Sequence, residues 1–510
     1  MTSAKAASAA SWLVGGKLLA RLTDLATLLV LARLLGPAEF GIVALAMTPI
    51  YIVEVVTDLP IAQALVRLRR VTRANLDTAF TLGLLRGFGV AGVACLISVP
   101  FARFGEDPRL VPLICILSLN SAIRGLASPA MIIFIRRIDF RRDFLIDLAG
   151  RLVTFATAAG VAALTRSYWA IAVGTLTGPV IATALSYIFA PHRPRLVIRD
   201  WQIFANIMGW HSCTQALGAF NWQSDRLMLS GFASLLEFGR YSVSDNLAAT
   251  PQQVLIGPLL RAWLPSFARV QAEPERLRQA YKKASAATLA IGAPAYVGLA
   301  VLAHQAVLIA LGAQWSQAAP LATWLALAGI MGLPLGPLSS IAICLGRAQF
   351  ITLQAAVECF IRIPVLIFAI SQGGIMGAVI ARFALSITIG ISGMVVVKAL
   401  LNLPVGEQLQ TLRRPLIAAG IMGMSLLPLA HWLEPMPLSP TMVVGTAAAI
   451  LTGAAVYAAA MLVLWLLAGR PAGPETILIH QIRAMLDNGR IHKLYLFGRR
   501  PGRRSERTVT

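Results

Sequence analysis

The segment 441–467, TMVVGTAAAILTGAAVYAAAMLVLWLL, carries no charged side chain. A helix rises about 1.5 Å per residue, so this segment is long enough to cross a hydrocarbon core of about 30 Å. The segment 82–101, LGLLRGFGVAGVACLISVPF, is similar and is interrupted only by Arg86. Comparable apolar runs recur throughout the chain. The sequence therefore predicts an all-α, polytopic membrane protein.

The composition of the whole chain excludes a soluble multidomain protein. Of the 510 residues, 57% are hydrophobic and 13% are charged, and the mean hydropathy is +0.73. Soluble domains carry about 25% charged residues, because they need them to cover their surface. The five cysteines all fall inside apolar runs and show no C-x-x-C spacing, so we interpret them as small buried hydrophobic residues.

Polar breaks between the apolar runs predict about 14 transmembrane helices. We expect them near residues 8–33, 40–66, 77–102, 110–135, 146–166, 169–190, 206–232, 240–265, 284–306, 319–342, 350–372, 376–400, 415–433 and 441–468.

The formal charge of +22 is explained by the loops between these spans. Arginines cluster after the second and fourth spans, and more basic residues follow the other even-numbered spans, whereas the odd-numbered loops carry few. This bias predicts that both termini are cytoplasmic. Because the basic residues are spread over many short loops, a nucleic-acid partner is not expected. The basic clusters are Arg67, Arg69, Arg70 and Arg73, then Arg136, Arg137, Arg141 and Arg142; the odd-numbered loops hold Arg33, Arg103, Arg109, Arg166 and Arg240.

Two short sequences recur about 200 residues apart. Glu39-Phe40-Gly41 matches Glu237-Phe238-Gly239, and the segment 45–49 (LAMTP) resembles 247–251 (LAATP). Six predicted spans separate the copies, so the repeat is parallel and indicates two pseudo-symmetric six-helix lobes. The expected units are an N-terminal lobe at 1–190, an interfacial cytoplasmic linker at 191–205, a C-terminal lobe at 206–400, two further helices at 401–468 and a basic cytoplasmic tail at 469–510.

Several segments resemble the oligosaccharide flippases of the polysaccharide-transport branch of the multidrug/oligosaccharidyl-lipid/polysaccharide exporter superfamily, the Wzx-type proteins. These segments are RLLGPAEFG (33–41), DRLMLSGF (225–232), FGRYSVS (238–244), PSFARVQ (265–271), ERLRQAY (275–281) and GAQWSQAAPL (312–321).

The resemblance implies a 14-helix, two-lobe fold like that of the multidrug and toxic-compound extrusion (MATE) exporters. It also implies movement of undecaprenyl-diphosphate-linked oligosaccharide from the inner to the outer leaflet of the bacterial inner membrane by alternating access. Such transport would serve exopolysaccharide, capsule or lipopolysaccharide O-antigen synthesis. A polysaccharide polymerase and glycosyltransferases would then be candidate partners, besides the phospholipid bilayer itself.

Basic residues inside the spans indicate where a diphosphate could bind. A central arginine costs about 2.5–3.5 kcal/mol on insertion scales, so it needs a wet cavity or a partner. Counted from the turn at Gly105, Arg86 and Arg124 lie at equal depth, and no carboxylate is expected level with them. The basic side chains outnumber the intramembrane carboxylates, so we expect a net cationic interior. The diphosphate candidates are Arg86, Arg124, Arg21, Arg261 and Arg226; snorkelling to the headgroups is the alternative for Arg86, Arg124 and Arg261.

Intramembrane carboxylates indicate ion coupling or structural pairing. Depth counted from Pro37 places Arg21 level with Glu54, and Lys17 level with Asp58. If the first two spans are neighbours, these residues form a ladder of ion pairs, either structural or protonatable. Glu358 and Arg362 are four residues apart on one helix, which favours an intrahelical pair. The ion-coupling candidates are Asp24, Glu54, Asp58, Asp225 and Glu358.

Catalytic and nucleotide-binding motifs are not found in the sequence. No G-x-x-x-x-G-K-[ST] motif and no Cys/His metal spacing occurs, so we expect neither an enzyme nor a cofactor. The main alternative to a flippase is an ion-coupled, MATE-like exporter of small molecules, whose cavity should be acidic or aromatic. A membrane-bound polymerase or ligase would need larger outer loops than the few residues expected here.

Overall fold

The computed structural model describes residues 3–59, 61–68, 70–137, 139, 141–199, 217–218, 220–221, 223–347 and 349–469. Within these ranges the chain is built from helices joined by turns, with one extended stretch at 191–199. Nine of the described helices are long and apolar enough to span a membrane, or ten if one bent pair counts as a single span. The expected all-helical membrane fold is confirmed, while the number of 14 spans stays a prediction.

Eight α-helices form the first half of the chain, from residue 3 to residue 189. Pro37 starts α2, where its missing N–H costs nothing, and a capping box of Thr72 and Asn75 starts α4. The helices are α1 (Ser3–Leu34), α2 (Pro37–Val56), α3 (Ile61–Arg67), α4 (Arg73–Phe104), α5 (Leu110–Gly125), α6 (Ile132–Arg136), α7 (Arg141–Thr165) and α8 (Trp169–Phe189).

The described part of the second half begins with helical residues at 217–218, 220–221 and 223–229 and continues to residue 401, and two more helices follow it. Ser234 and Glu237 form a capping box at the start of α9. The helices are α9 (Leu235–Pro251), α10 (Gly257–Ala268), α11 (Pro274–Val301), α12 (Ala303–Ala310), α13 (Ala319–Gly332), α14 (Leu338–Cys344), α15 (Gln349–Leu401), α16 (Val405–Leu433) and α17 (Pro440–Leu467).

Helix α15 is a hairpin of two antiparallel arms. Gly374 has φ of 55° and ψ of −138°, a backbone conformation that suits glycine, and it lies where the chain reverses. The Nε2 of Gln354 lies 3.3 Å from the Oγ of Ser392, which places the two arms side by side. The eleventh and twelfth predicted spans correspond to these arms.

Breaks inside the spans are the main difference from the sequence expectation. The second predicted span, 40–66, ends as a helix at Val56 and resumes as α3. The fourth span bends by 55° between α5 and the segment 129–136. Prolines at or near these breaks remove a backbone donor and disfavour continued helix. The breaks lie at the end of the bundle that carries the basic segments 57–72 and 126–141, here named the basic side.

The two halves pack tightly at the opposite end, where Gly36 and Gly105 lie. Helices α2 and α9 cross there through Gly41 and Gly239, the glycines of the repeated Glu-Phe-Gly sequence. A Cβ on Gly41 would lie 1.9 Å from the carbonyl oxygen of Leu235, and one on Gly239 would lie 1.8 Å from that of Pro37. Only glycine permits this approach, and the reciprocal contacts are those expected across a pseudo-two-fold axis.

Apolar packing and hydrogen bonds extend the contact between the two halves around the Gly41–Gly239 crossing, which is named the seal here. The largest core cluster joins Ile42 and Phe101 of the first half to Phe238 and Ile370 of the second. The Nε1 of Trp315 donates to the carbonyl oxygen of Ala32 at 2.8 Å. In addition, Gln314 donates to the same carbonyl, Arg33 donates to that of Ile309, and the rings of Phe40 and Trp315 meet edge to face at 5.4 Å.

The extended stretch 191–199 lies against the first two turns of α4. Thr78 and Arg199 exchange hydrogen bonds of 2.9 and 3.0 Å, and the backbone N–H of Val197 donates to Thr81. The ring of His192 lies 2.9 Å from a buried oxygen of Asp77. This part of the predicted linker is therefore fixed to the first half. Its remainder at 200–205, with Trp201, and the tail at 470–510 lie outside the described residues.

Candidate functional site

A cavity of two adjoining chambers opens in the first half, on the basic side of the interlobe seal. The large chamber has a volume of about 730 Å³ and is lined by α1, α2, α5, α7 and α8. The small chamber, about 540 Å³, is lined by α2, α3, α4, α5 and the bent segment after α5. Glu54, Arg124 and Ser128 line both chambers, so they mark the boundary between them.

Carboxylates outnumber arginines among the described residues that line this cavity. The expected net cationic interior is therefore wrong for this part of the protein. Asp143 precedes the fifth predicted span, 146–166, and Asp147 lies at its edge, so neither is among the intramembrane carboxylates expected from the sequence. The charged lining residues are Asp24, Glu54, Asp58, Asp143 and Asp147 against Arg86, Arg124 and Arg151.

Arg86 is held in the wall of the small chamber by the end of α2. Its Nε donates to the carbonyl oxygen of Thr57 at 2.9 Å and a terminal nitrogen donates to that of Glu54 at 3.0 Å. A terminal nitrogen also lies 3.1 Å from the carboxylate of Asp58. The expectation that no carboxylate lies level with Arg86 is thus wrong. Because α2 ends at Val56, the chain can turn Asp58 toward Arg86.

Arg124 lies in the last turn of α5, is exposed, and lines both chambers. In the described part of the chain its guanidinium makes no hydrogen bond or ion pair. Its neighbour Ser121 instead donates to the carboxylate of Glu54. The structure therefore brings Arg86 and Arg124 to one chamber, as the depth count predicted, but it leaves only Arg124 uncompensated.

Arg151 joins two carboxylates at the large chamber. It forms an ion pair with Asp24 of α1, and its Nε lies 3.0 Å from Asp147, one turn earlier on α7. Arg21 lies 3.7 Å from Asp24 on the same helix. The predicted ladder between the first two spans is wrong for Arg21, because α1 packs against α7 and meets Arg151 there. The side chain of Lys17 lies outside the described residues.

A second set of charges is buried in the other half. Arg362 binds Asp225 through two hydrogen bonds of 3.0 Å and lies 3.0 Å from Glu358, which confirms the expected intrahelical pair. Arg382 lies 2.8 Å from Asp245 and 3.4 Å from Asp225. The network is completed by an Arg226–Asp245 pair at 3.0 Å and by the Tyr241 hydroxyl, which lies 3.2 Å from Asp225 and 2.9 Å from Arg382.

This buried network balances three arginines with three carboxylates. Three of the five diphosphate candidates, Arg21, Arg226 and Arg261, lie away from the described cavity lining. Arg226 is engaged in the network and only 8% exposed, whereas Arg261 is exposed on α10 and lines neither chamber. Of the ion-coupling candidates, Asp225 and Glu358 belong to the network, and Asp24, Glu54 and Asp58 line the cavity.

The two sets of charges contain the same triad. Asp24, Asp147 and Arg151 in the first half correspond to Asp225, Glu358 and Arg362 in the second, at offsets of 201 and 211 residues. In each triad an arginine bridges a carboxylate four residues earlier and an aspartate on the first helix of its half. The short Glu-Phe-Gly repeat alone does not reveal this relation, although the i, i+4 acid–arginine spacing on both helices is a usable signal in the sequence.

Comparison with known proteins places these features in a family. The family model described as "Polysaccharide biosynthesis protein" matches residues 30–320, more than half of the chain. The chain belongs to this polysaccharide biosynthesis protein family. The membership confirms the resemblance inferred from the sequence segments.

Two curated relatives of this polysaccharide biosynthesis protein are distant in sequence. The succinoglycan biosynthesis transport protein ExoT of Rhizobium meliloti is 25% identical over 59% of this chain and 61% of its own length, so the match spans less than two thirds of that relative. The lipopolysaccharide biosynthesis protein WzxC of Escherichia coli is 22% identical over 73% of this chain and 77% of its own length.

Solved structures establish the fold. The lipid II flippase MurJ in an inward closed conformation superimposes with a TM-score of 0.67 at 15% identity, covering 88% of this chain and 98% of MurJ. An inward-facing MATE-family multidrug transporter gives a TM-score of 0.61 at 14% identity, covering 75% and 94%. The polysaccharide biosynthesis protein thus has the fold shared by MurJ and the MATE transporters, as the sequence predicted.

Proposed function

We propose that this protein moves undecaprenyl-diphosphate-linked oligosaccharide repeat units from the inner to the outer leaflet of a bacterial inner membrane by alternating access. The observation that carries the proposal is a polar cavity in the first half that contains one uncompensated arginine, Arg124, while the halves are sealed at the opposite end. Family membership and the names of the relatives ExoT and WzxC support the assignment to polysaccharide assembly.

The diphosphate would bind at the boundary of the two chambers. Arg124 offers a free guanidinium fork, which suits bidentate contact with phosphate oxygens. Arg86 lines the same chamber and is held rigidly by two carbonyl groups, so it could share an anion with Arg124 only by loosening its pair with Asp58. Arg124 is therefore the primary diphosphate contact in this proposal, and Arg86 is the secondary one.

The direction of transport follows from the topology. The positive-inside bias assigns the basic side, and with it both termini, to the cytoplasm. The cavity would then accept substrate from the inner leaflet, and the Gly41–Gly239 crossing would close the outer side. The basic tail would lie on the cytoplasmic face, where a glycosyltransferase could deliver substrate, and a polymerase would receive it on the outer side.

The membrane potential can supply part of the driving force. Each net negative charge that leaves an inside-negative cell gains about 2.3 kcal/mol per 100 mV, so exit of a diphosphate is downhill. Return of an ion or proton through a cavity carboxylate would reset the transporter. Asp24 is the best placed of the coupling candidates, because it lines the large chamber and pairs with Arg151 between two helices.

The acidic lining favours a second candidate function, ion-coupled export of small organic cations. Carboxylates such as Asp143 attract cations, and the fold is shared with a MATE multidrug transporter. Growth of an exporter-deficient strain on cationic dyes distinguishes the two. Expression of this protein should not raise dye resistance, whereas resistance that depends on Asp143 would favour the exporter.

Reconstituted transport tests the flippase proposal. Proteoliposomes loaded with undecaprenyl-diphosphate-linked oligosaccharide would be assayed for wild type, Arg124→Gln, Arg124→Lys and the control Arg276→Gln. Arg276 is an exposed arginine in the first turn of α11 and pairs with Glu273. One charge-assisted contact contributes about 1.5–3 kcal/mol, so Arg124→Gln should slow transport roughly ten- to hundredfold. The transport rate of Arg124→Lys should lie between those of wild type and Arg124→Gln, and that of Arg276→Gln should match wild type.

Two results would contradict parts of this proposal. Full activity of Arg124→Gln would remove Arg124 from the diphosphate site but keep the flippase. Folded wild-type protein that moves no lipid-linked oligosaccharide would reject the flippase and favour the exporter.

A further inference from the structure

Besides its charged residues, the wall of the large chamber carries hydroxyl, aromatic and amide groups that suit a carbohydrate. Hydroxyl groups come from five helical positions on its wall, and the ring of Tyr51, about one third exposed, offers a flat apolar face. The amide oxygen of Asn120 is buried at this wall and accepts no hydrogen bond from the described residues. The hydroxyl-bearing lining residues include Thr27, Thr154, Thr175, Thr183 and Ser186.

The fold itself does not impose this polar lining. The two arms of α15 in the second half enclose a groove of about 360 Å³ at positions equivalent to those of α7 and α8. At offsets of 210 and 211 residues, the chamber residues Asp143, Gly150, Thr175, Pro179 and Ser186 correspond to Gln354, Ile361, Leu385, Ile389 and Val396. The surface of the equivalent groove is mostly apolar, although Gln354, Glu358, Thr388 and Ser392 also line it. The chamber of the first half therefore carries more polar and charged residues than its counterpart.

The large chamber is lined by more acidic than basic side chains. Four carboxylates and two arginines line it among the described residues. Arg151 is shared between Asp24 and Asp147, and Arg124 stands at the boundary with the small chamber, where the diphosphate would bind. Asp143 forms no ion pair with any residue in the described ranges. The chamber beyond Arg124 therefore carries surplus negative charge.

From this lining we infer that the large chamber binds the sugar head of the substrate and selects sugars that are uncharged or carry an amine, against acidic sugars such as uronic acids. The inference rests on the proposed function. Sugar hydroxyls and amines donate hydrogen bonds that carboxylates and the Asn120 oxygen accept, whereas a sugar carboxylate brings a like charge and no donor. Repulsion from an uncompensated carboxylate about 8 Å away, at an effective dielectric constant of about 30, predicts about tenfold discrimination, or about 1.4 kcal/mol.

A matched pair of substrates tests the selectivity. The two undecaprenyl-diphosphate oligosaccharides differ only at C6 of the terminal residue, which is glucose in one and glucuronic acid in the other. Wild type should move the glucose lipid about tenfold faster, and Asp143→Asn should remove most of this preference. Glu275→Gln removes an equal charge from the exposed first turn of α11 and should leave the preference unchanged. Equal rates for the two lipids, or faster transport of the acidic one, would overturn the inference.

Modification of an introduced cysteine by charged reagents gives the sign of the electrostatic potential in the large chamber and does not require a transport measurement. Thr27→Cys would be placed in a background in which Cys95, Cys115, Cys213, Cys344 and Cys359 are replaced by alanine. A cationic methanethiosulfonate should modify it faster than an anionic one, after correction for their rates with a free thiol, and Asp143→Asn should lower the ratio.

Faster modification by the anionic reagent would overturn the inference. If wild type moves neither lipid, the proposed function fails, and the reagent ratio still decides whether the chamber favours cations.

Discussion

Neutralising one aspartate should lower the free energy of unfolding by very different amounts in the two equivalent triads. Asp225→Asn in the buried network leaves Arg362 and Arg382 with one carboxylate too few, so the network changes from formally neutral to a charge of +1. The side chain of Asp225 is 3% exposed and that of Arg362 is 10% exposed, so water does not compensate. Asp24→Asn makes the same change at an aspartate that is 41% exposed, beside an arginine that is 33% exposed.

The expected magnitudes follow from burial. Breaking a buried ion pair by removing one partner costs about 3–5 kcal/mol, because an uncompensated charge stays in a medium of low dielectric constant. An exposed pair contributes about 0.2–1 kcal/mol. We therefore expect Asp225→Asn to lower the free energy of unfolding by about 3–5 kcal/mol, and Asp24→Asn by no more than about 1 kcal/mol. Equilibrium unfolding in mixed detergent micelles measures both.

A double substitution separates charge balance from the loss of hydrogen bonds. Asp225→Asn with Arg362→Gln restores a formally neutral network, so it should be more stable than the sum of the two single effects predicts. The reasoning that burial and charge balance stabilise this half would be refuted by either of two results. One is an equal loss of unfolding free energy in Asp24→Asn and Asp225→Asn. The other is a loss in the double variant that equals the sum of the two single losses.

Two further predictions concern the end of the bundle opposite the basic side. Gly239→Ala places a Cβ 1.8 Å from the carbonyl oxygen of Pro37, so it should shift the population away from the sealed state, as increased spin-label distances across this end would show; Gly36→Ala, with no atom within 4 Å of the added carbon, is its control. In the turn before α5, the Arg109 side chain hydrogen-bonds Asp107 and lowers the pKa of that carboxyl. A lowered pKa adds stability that is present above the ordinary value and lost as pH falls through the lowered one, so thermal stability should decline at acidic pH below about 4 less steeply in Asp107→Asn than in wild type.

The fold could be predicted from the sequence because apolar length and loop charge are local properties. Contacts between helices are harder to predict from the sequence, because counting residues from a turn gives the depth of a side chain but does not identify the helix that faces it. Arg86 and Arg124 do line one chamber. The predicted partner of Arg21, Glu54, is wrong, because α1 packs against α7 instead of α2.

Helix breaks account for the other errors at the site. A continuous second span would have turned Asp58 toward α1, but the helix ends at Val56 and Asp58 pairs with Arg86. The fifth span was expected to begin at 146, yet α7 begins at Arg141 and carries Asp143 and Asp147 along the chamber. Hydropathy underestimates a span whose first turns face a wet cavity, because polar residues there resemble a loop.

The different charge balance of the two halves implies different roles in transport. In the second half the network uses every carboxylate to neutralise an arginine, so it has no spare charge with which to hold an anion or a sugar. Of the charged residues that line the cavity in the first half, Arg124, Glu54 and Asp143 form no ion pair within the described residues, and Asp24 and Asp147 share Arg151. In the proposed flippase this imbalance would orient the substrate, with its diphosphate at Arg124 and its sugar toward the surplus carboxylates of the large chamber. The balanced network of the second half would offer neither group a charge, so the substrate would have one preferred side.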